Sequence, residues 1–419
     1  MTLRESKLSD LCEIISSKRV FAASYQSEGI PFFRGKEVSQ LARGEAITAE
    51  LYISEEVYED VISRTGPVKP GHILLTAVGT LGNPYQVKES DLPFYFKDGN
   101  IVWLRSFSDD LNPTFLFYWL NSEYGRRKVL DTSIGSTQAA LTISALSKIK
   151  IGCPSLSQQS GIVEILSAID GKIAGNRVLS ETLEAIAQTI FKSWFIDFDP
   201  VKAKMAGEKP AGMNAVTAAL FPDTMEKSEL GLIPKGWKAS ILGEVCDIKQ
   251  GKYLAPAQMS NFPDGDDTVP VIGGNGVLGF TSKSTFSFDV PLVTCRGSRC
   301  GLLQWANYPS WVSNNAMAIT MKASSDYSQF LYLFFKQVSF ENVITGSAQP
   351  QITITNLNFM KILVPDESIL RIFTDITEQM RKSLISLNLE NQNLGEIRDS
   401  LLPRLISGDL QIPDEMLAS

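Results

Sequence analysis

With 419 residues, 44% of them apolar and 20% charged, the chain is long enough for two or three ordinary globular domains. Its longest apolar runs, such as Phe115 to Leu120, are too short to cross a bilayer, and the opening MTLRESKLSD lacks an apolar signal core, so a cytoplasmic protein is expected. The net charge of −7 argues against a chain that grips nucleic acid by charge alone, and a single histidine, His72, leaves little scope for imidazole general-base or metal chemistry.

The first segment, 1–154, carries short β-branched and aromatic runs broken by Gly, Pro and Asn, the pattern of twisted strands joined by loops. His72 precedes one such run and reads as a strand-edge residue. No G-x-x-x-x-G-K-[ST] loop is present, and GNPYQ at Gly82 to Gln86 lacks the second proline of an adenine-methyltransferase motif. Five scattered cysteines form no Cys-x-x-Cys pair, so no metal site is expected and the thiols read as buried and reduced.

Near the end of this segment, GSTQAALTISALSKIKIGCP at Gly135 to Pro154 has a near twin, GSAQPQITITNLNFMKILVP at Gly346 to Pro365. The offset is 211 (346 − 135), and nine of the twenty paired positions are identical. The register continues into the next segment, 155–197. Here Ile162, Ile165, Ile169, Ile173, Leu183, Ile186, Ile190 and Trp194 recur mostly every three or four residues, the spacing of one helix face. Ser155 and Gln158 offer a capping box at its start. Asn176 and Ser180 interrupt the stripe near its middle, which is either a packing defect or a polar layer that fixes register.

Segment 198–237 mixes Lys, Glu, Gly, Pro and Ala without sustained periodicity and reads as a linker whose final IPKGWK ties down the start of the second half. Segment 238–365 then rhymes with 1–154. LGEVCDI at Leu242 answers LSDLCEI at Leu8, VPVIGG at Val269 answers IPFFRG at Ile30, and LVTCRGSRCG at Leu292 answers LLTAVGTLG at Leu74. A second long helix is expected over 366–408, with Phe373, Ile376, Met380, Leu384, Leu394, Ile397, Leu401 and Leu405 at the repeat positions and Asn391 in its middle. Asp366 and Glu367 suit its positive end, and Pro403 to Gly408 should kink or finish it, leaving a tail at 409–419. The expected fold class is α/β: two strand-rich domains, each feeding a long helix, with the helices packed antiparallel as a pseudo-two-fold internal repeat.

The repeated GSTQ…LT block, FKSWFIDFDPVKAK after the first helix, LGLIPKGWKASILGEVCDIKQGK opening the second half, and LLPRLISGDL near the end together resemble the specificity subunits of type I restriction-modification systems. The resemblance covers nearly the whole chain, in the family's own order. It implies two target recognition domains that each bind half of a split double-stranded DNA sequence, spaced by the helices as a coiled-coil spacer. It implies two modification subunits as partners that methylate adenine with S-adenosylmethionine, and restriction subunits as an optional further pair that cleave with ATP and Mg. The chain itself would be non-catalytic, hold no cofactor, and have no membrane partner. A methylation-only complex and a helical adaptor that binds no DNA are the alternatives.

Candidate DNA-binding residues are suggested by charge and loop position. Arg126, Arg127 and Lys128 form the densest basic cluster and suit phosphate contact or a solvated helix end. Arg296, Ser298 and Arg299 lie on a Gly-flanked loop, where arginine could pair with guanine or grip the backbone. The matching loop of the first half carries Thr76 and Thr80. Arg34, Lys36, Lys249 and Lys252 are further phosphate candidates. Gln138 and Gln349, present in both copies, suit either the DNA interface or a brace between domain and helix.

Overall fold

The computed structural model describes residues 4–45, 47–134, 139–346 and 349–413. The two periodic stretches form helices Leu156–Phe195 and Glu367–Ser407, of 40 and 41 residues, each about 60 Å long at 1.5 Å per residue. Ser155 Oγ accepts from Gln158 N–H at 3.4 Å, the first half of the capping box, and the Gln158 side-chain amide donates to the carbonyl of Ile412 at 3.2 Å. Asp366 caps the second helix by accepting from Ser368 N–H at 2.9 Å, and the hydrogen bonds from the Ser368 side chain and backbone hold its carboxyl below the usual range. Pro403 is accommodated inside the helix, which stops before Gly408 at φ 80°.

The chain divides into two compact units, one of residues 1–176 with 389–419 and one of residues 177–388. Each unit therefore combines a strand-rich domain with the part of its own helix nearest to it and the distal part of the other helix.

In unit 1 a four-stranded antiparallel sheet runs in the order Glu13–Ile15, Ile101–Arg105, Ile73–Thr76, Pro84–Gln86. Beside it lies a three-stranded sheet, Tyr52–Ile53, Ile30–Phe33, Tyr95–Phe96, with one antiparallel and one parallel pairing. Arg4–Lys7 pairs with Lys150–Cys153 just before the first long helix. The core collects Leu8, Ile73, Phe115, Trp119, Ile162 and Leu166 together with Leu402, Leu405, Ile406 and Ile412 from the other end of the chain. Antiparallel helix packing is visible in these pairings: Gln158 meets Ile412, Asp170 meets Arg398 at 2.9 Å, and Asn176 meets Asn391 at 3.0 Å. Asn176, 3% exposed, also donates to Glu390 at 2.9 Å, so the interruption in the stripe is a hydrogen-bonded polar layer.

Unit 2 repeats the plan. Its four-stranded sheet runs Cys246–Gln250, Ala316–Met321, Val290–Thr294, Leu303–Ala306, and its three-stranded sheet Gly276–Thr281, Val269–Gly273, Trp311–Val312. Lys238–Ile241 pairs with Lys361–Val364 before the second long helix. Phe191, Trp194 and Phe195, near the end of the first helix, interlock with Phe330 and Phe373 at ring-centroid separations of 4.9 to 5.9 Å, which fixes the antiparallel register in this unit as well.

Two expectations need correcting. Segment 198–237 is no loose linker: it folds into helices Asp199–Met205 and Ala215–Leu220 and the hairpin Met225–Ser228/Gly231–Pro234. Val201 and Phe221 enter the unit 2 core, an anchoring that composition alone does not reveal, and Trp237 of IPKGWK joins them there. Within the described part of the tail, Leu410 and Ile412 pack into the unit 1 core. Finally, Ile186 and Ile397 do not pack inward. They are 42% and 47% exposed, and the buried contact next to Ile186 comes from Ala187 at 8%. Strict repeat arithmetic drifts from the true apolar face over so long a helix. The other stripe residues, Ile165, Ile169, Ile173, Leu183, Ile190, Ile376, Met380, Leu384, Leu394 and Leu401 among them, are buried or half-buried.

Candidate nucleic-acid interface

Each unit carries one hairpin loop built by the same main-chain device. In unit 1 the loop comes after Thr76, and in unit 2 after Thr294; both threonines are fully buried. Gly82 N–H donates to the Thr76 carbonyl at 2.8 Å, and Gly301 N–H donates to the Thr294 carbonyl at 2.8 Å. Ala77 N–H reaches the Asn100 carbonyl, and Cys295 N–H the Asn315 carbonyl, again at 2.8 Å. The Ala77 carbonyl accepts from Leu141 N–H at 2.9 Å and the Cys295 carbonyl from Ile352 N–H at 3.0 Å, and 141 and 352 are themselves related by the offset of 211. Isolated bridges join Val78 to Ala140 and Arg296 to Gln351. Gly79 and Gly297 turn the chain at φ 79° and 91°, a region that disfavours side chains.

This frame explains the fate of several sequence candidates. Thr76 is an internal brace, not a surface contact: its hydroxyl donates to the Thr80 carbonyl and accepts from Asn83 N–H at 3.0 Å. Thr80 is exposed on the loop. Arg34 is spent on carboxylates, at 2.6 Å from Glu37 and 2.5 Å from Glu50, and Lys36 lies 2.5 Å from Glu50. These two cations, Lys36 first, push the Glu50 carboxyl down to about 2. Any phosphate contact by Arg34 would have to break this cluster, because the guanidinium is already neutralised.

The basic cluster of unit 1 flanks its hairpin. Arg126, Arg127 and Lys128 are exposed on helix Glu123–Leu130, whose Val129 would lie 3.2 Å from a Cβ placed on Gly82. Arg126 donates to Asn83 Oδ1 at 3.4 Å, Arg127 pairs with Glu123 at 2.6 Å, and the Lys128 ammonium sits 5.5 Å from the Tyr124 ring centroid. In unit 2 Arg296 and Arg299 lie on the loop itself, while Lys249 and Lys252 lie on and just after strand Cys246–Gln250, at the far edge of the same sheet. Arg296, Ser298, Arg299, Lys249 and Lys252 are all exposed, and among the described residues no carboxylate lies within 4.0 Å of Arg296, Arg299, Lys249, Lys252, Arg126 or Lys128. Each unit thus carries exposed cations without acidic partners among its described residues, Arg126 and Lys128 in unit 1 and Arg296, Arg299, Lys249 and Lys252 in unit 2, a chemistry suited to an anionic polymer.

Gln349 is exposed beside the unit 2 hairpin, two residues before the bridge at Gln351. Gln138 lies outside the described residues. Sequence reasoning misses Val78, Asn100 and Asn315, which flank the loops at matched places; setting DGNIV against SNNAM, each just before a buried strand, would reveal the asparagines. His72 stands apart from this surface. Its Nδ1 accepts from the buried Trp103 indole at 3.0 Å and from Lys69 N–H at 3.1 Å, and burial, aided by Arg105 and Lys69, pushes its pKa down to about 4. Burial likewise raises the thiols, Cys12 and Cys246 to about 12. Among the described residues no three potential metal ligands converge, and no helix is long and apolar enough to cross a membrane.

Comparison with known proteins adds an independent line. The family model described as type I restriction modification DNA specificity domain matches residues 2–185 and 234–390. The chain is 26% identical over 406 residues to the type I restriction enzyme HindI specificity subunit of Haemophilus influenzae, covering 82% of this chain and 87% of that protein. It is 23% identical to the MjaIX specificity subunit of Methanocaldococcus jannaschii, covering 97% and 93%. The fold is similar to a type I restriction-modification S subunit from M. genitalium, with a TM-score of 0.61, 16% identity, and 96% and 95% of the two chains covered. With two family-model matches falling on the two repeated halves, this chain belongs to the type I restriction-modification DNA specificity family.

Proposed function

We propose that this chain is the DNA-reading subunit of its complex, with each unit contacting one half of a bipartite double-stranded target. The duplicated hairpin frame carries this reading: the same backbone recurs in both units, while the exposed side chains upon it differ. A scaffold that holds two loops alike but dresses them differently suits recognition of two unlike half-sites. The overall charge of −7 then matters less than the unpaired cations around each loop.

The chemistry belongs to partners in this account. Modification subunits methylate adenine with S-adenosylmethionine, restriction subunits cleave with ATP and Mg, and this chain positions them without catalysing a step. Support for two copies of one partner comes from exposed apolar residues that recur at the offset of 211: Val178 with Leu389, and Ile186 with Ile397. Exposed aliphatics at matched places on the two helices suit two equivalent docking surfaces.

The test is DNA binding by the complex reconstituted with its modification subunit. Specific binding should weaken steeply with salt, each lost phosphate contact lowering the logarithmic slope by about 0.9, and a duplex with either half-site scrambled should compete poorly. Binding that is absent, or indifferent to salt and sequence, would instead favour a protein adaptor.

A further inference from the structure

We infer that Val78 in unit 1 and Arg296 in unit 2 are one and the same base-discriminating position, Val78 meeting a thymine methyl and Arg296 the major-groove edge of guanine. The inference rests on the DNA-reading function above and assigns the residue within each loop that does the discriminating.

Equivalence comes from the main chain. Each residue is the second after a fully buried threonine and immediately precedes the positive-φ glycine, and each forms the isolated bridge to the strand segment at 140 or 351, again 211 apart. A Cβ on Gly35 would lie 3.9 Å from the Val78 carbonyl oxygen, and one on Gly274 would lie 3.8 Å from that of Arg296. The same three segments therefore surround both positions. Backbone hydrogen bonds at the neighbouring residues hold both positions, with the Thr76 hydroxyl as a further brace of the first loop, so the side chain at 78 or 296 is not needed for the frame and is free to vary.

What varies is chemistry that faces outward. Val78 is 39% exposed between the buried Ala77 and the exposed Gly79, where an aliphatic side chain gives the core little. Arg296 is exposed with no acidic partner among the described residues. On a groove floor these two side chains suit opposite bases: apolar contact selects the thymine methyl, and the guanidinium fork matches guanine O6 and N7. The neighbouring Asn100 and Asn315 lend only their carbonyls to the loop, so the frame does not consume their side chains.

The experiment uses the full chain assembled with its modification subunit, a plasmid library of random sequence, and mapping of methylated adenines for wild type, Val78→Arg and Arg296→Ala. Val78→Arg should change one position of the first half-site from A·T to G·C and leave the second half-site intact. Arg296→Ala should relax one G·C position of the second half-site by a factor on the order of 5 to 150, the equivalent of one bidentate base contact. If both variants keep the wild-type motif, or Arg296→Ala only lowers the salt slope while specificity stands, the assignment is wrong although the DNA-reading function survives. A wild-type complex that yields no bipartite motif would remove the function itself. Thermal melting of each variant, expected within about 2 °C of wild type because both positions are exposed, guards against loss of fold.

Discussion

Replacing Arg381 with alanine tests whether a buried charge fastens the strand-rich domain of unit 2 to its helix. Arg381 occupies the repeat position of Asp170, and its side chain is only 15% exposed. It lies 2.6 Å from Asp289 and 2.9 Å from Glu378, donates to Asn307 Oδ1 at 3.2 Å, and stacks 5.3 Å from the Trp305 ring centroid. Truncation leaves Asp289, 25% exposed, beside a void with one hydrogen bond remaining from Tyr308 N–H. Removing one partner of a buried pair costs roughly 3–5 kcal/mol, and the residual water around both carboxylates puts the expected loss near the lower limit. For a unit of this size that corresponds to a fall of about 6–12 °C in Tm, measurable by near-ultraviolet circular dichroism of the aromatic cluster in the same unit. The double variant Arg381→Met, Asp289→Asn should recover more than half, since Asp289, the less exposed of the two carboxylates, is then no longer charged. A shift below about 2 °C for Arg381→Ala, or no recovery in the double variant, would refute the reasoning.

Other consequences are equally direct. Phe373→Ala, which empties the centre of the aromatic cluster, should cost about 3–5 kcal/mol in equilibrium urea unfolding. Asn176→Leu keeps volume but strips donors from Glu390 and Asn391, and should destabilise by roughly 2–4 kcal/mol in the same assay. The folded-state pKa of His72 lies at about 4, below its ordinary 6.5, so between those values the unfolded chain takes up a proton that the folded chain does not. Its contribution is full above pH 6.5 and is lost as pH falls toward 4. His72→Gln should flatten that part of the stability–pH curve, measured as the difference from wild type. Ile186→Asp and Ile397→Asp should each change stability by no more than about 0.5 kcal/mol yet weaken co-purification with the modification subunit.

Much of this architecture is legible in the sequence because it is written twice. The offset of 211 locates both helices and both GSTQ-type blocks, and the likeness of LLTAVGTLG at Leu74 to LVTCRGSRCG at Leu292, 218 apart (292 − 74), matches the hairpins without any knowledge of contacts. Asp366 and Pro403 to Gly408 mark helix ends through local chemistry, which needs no tertiary context. Features that depend on distant partners stay hidden. Nothing local shows that Val201 and Phe221 belong to a core, or that Arg34 turns inward to Glu37 and Glu50, sixteen residues away in the latter case. Thr76 looks like a contact because its loop does, yet its hydroxyl faces the hairpin interior. Charge, the criterion that selects interface candidates from sequence, finds Arg296 and overlooks Val78 at the matching place.

The central claim is that each unit reads its own half of the target, and one measurement addresses it: the methylation motif of a complex carrying Arg296→Ala together with Arg299→Ala. The account predicts a split motif in which the half assigned to unit 2 is degenerate and the other half is unchanged. A continuous motif, or equal degeneracy on both sides of the gap, would contradict it.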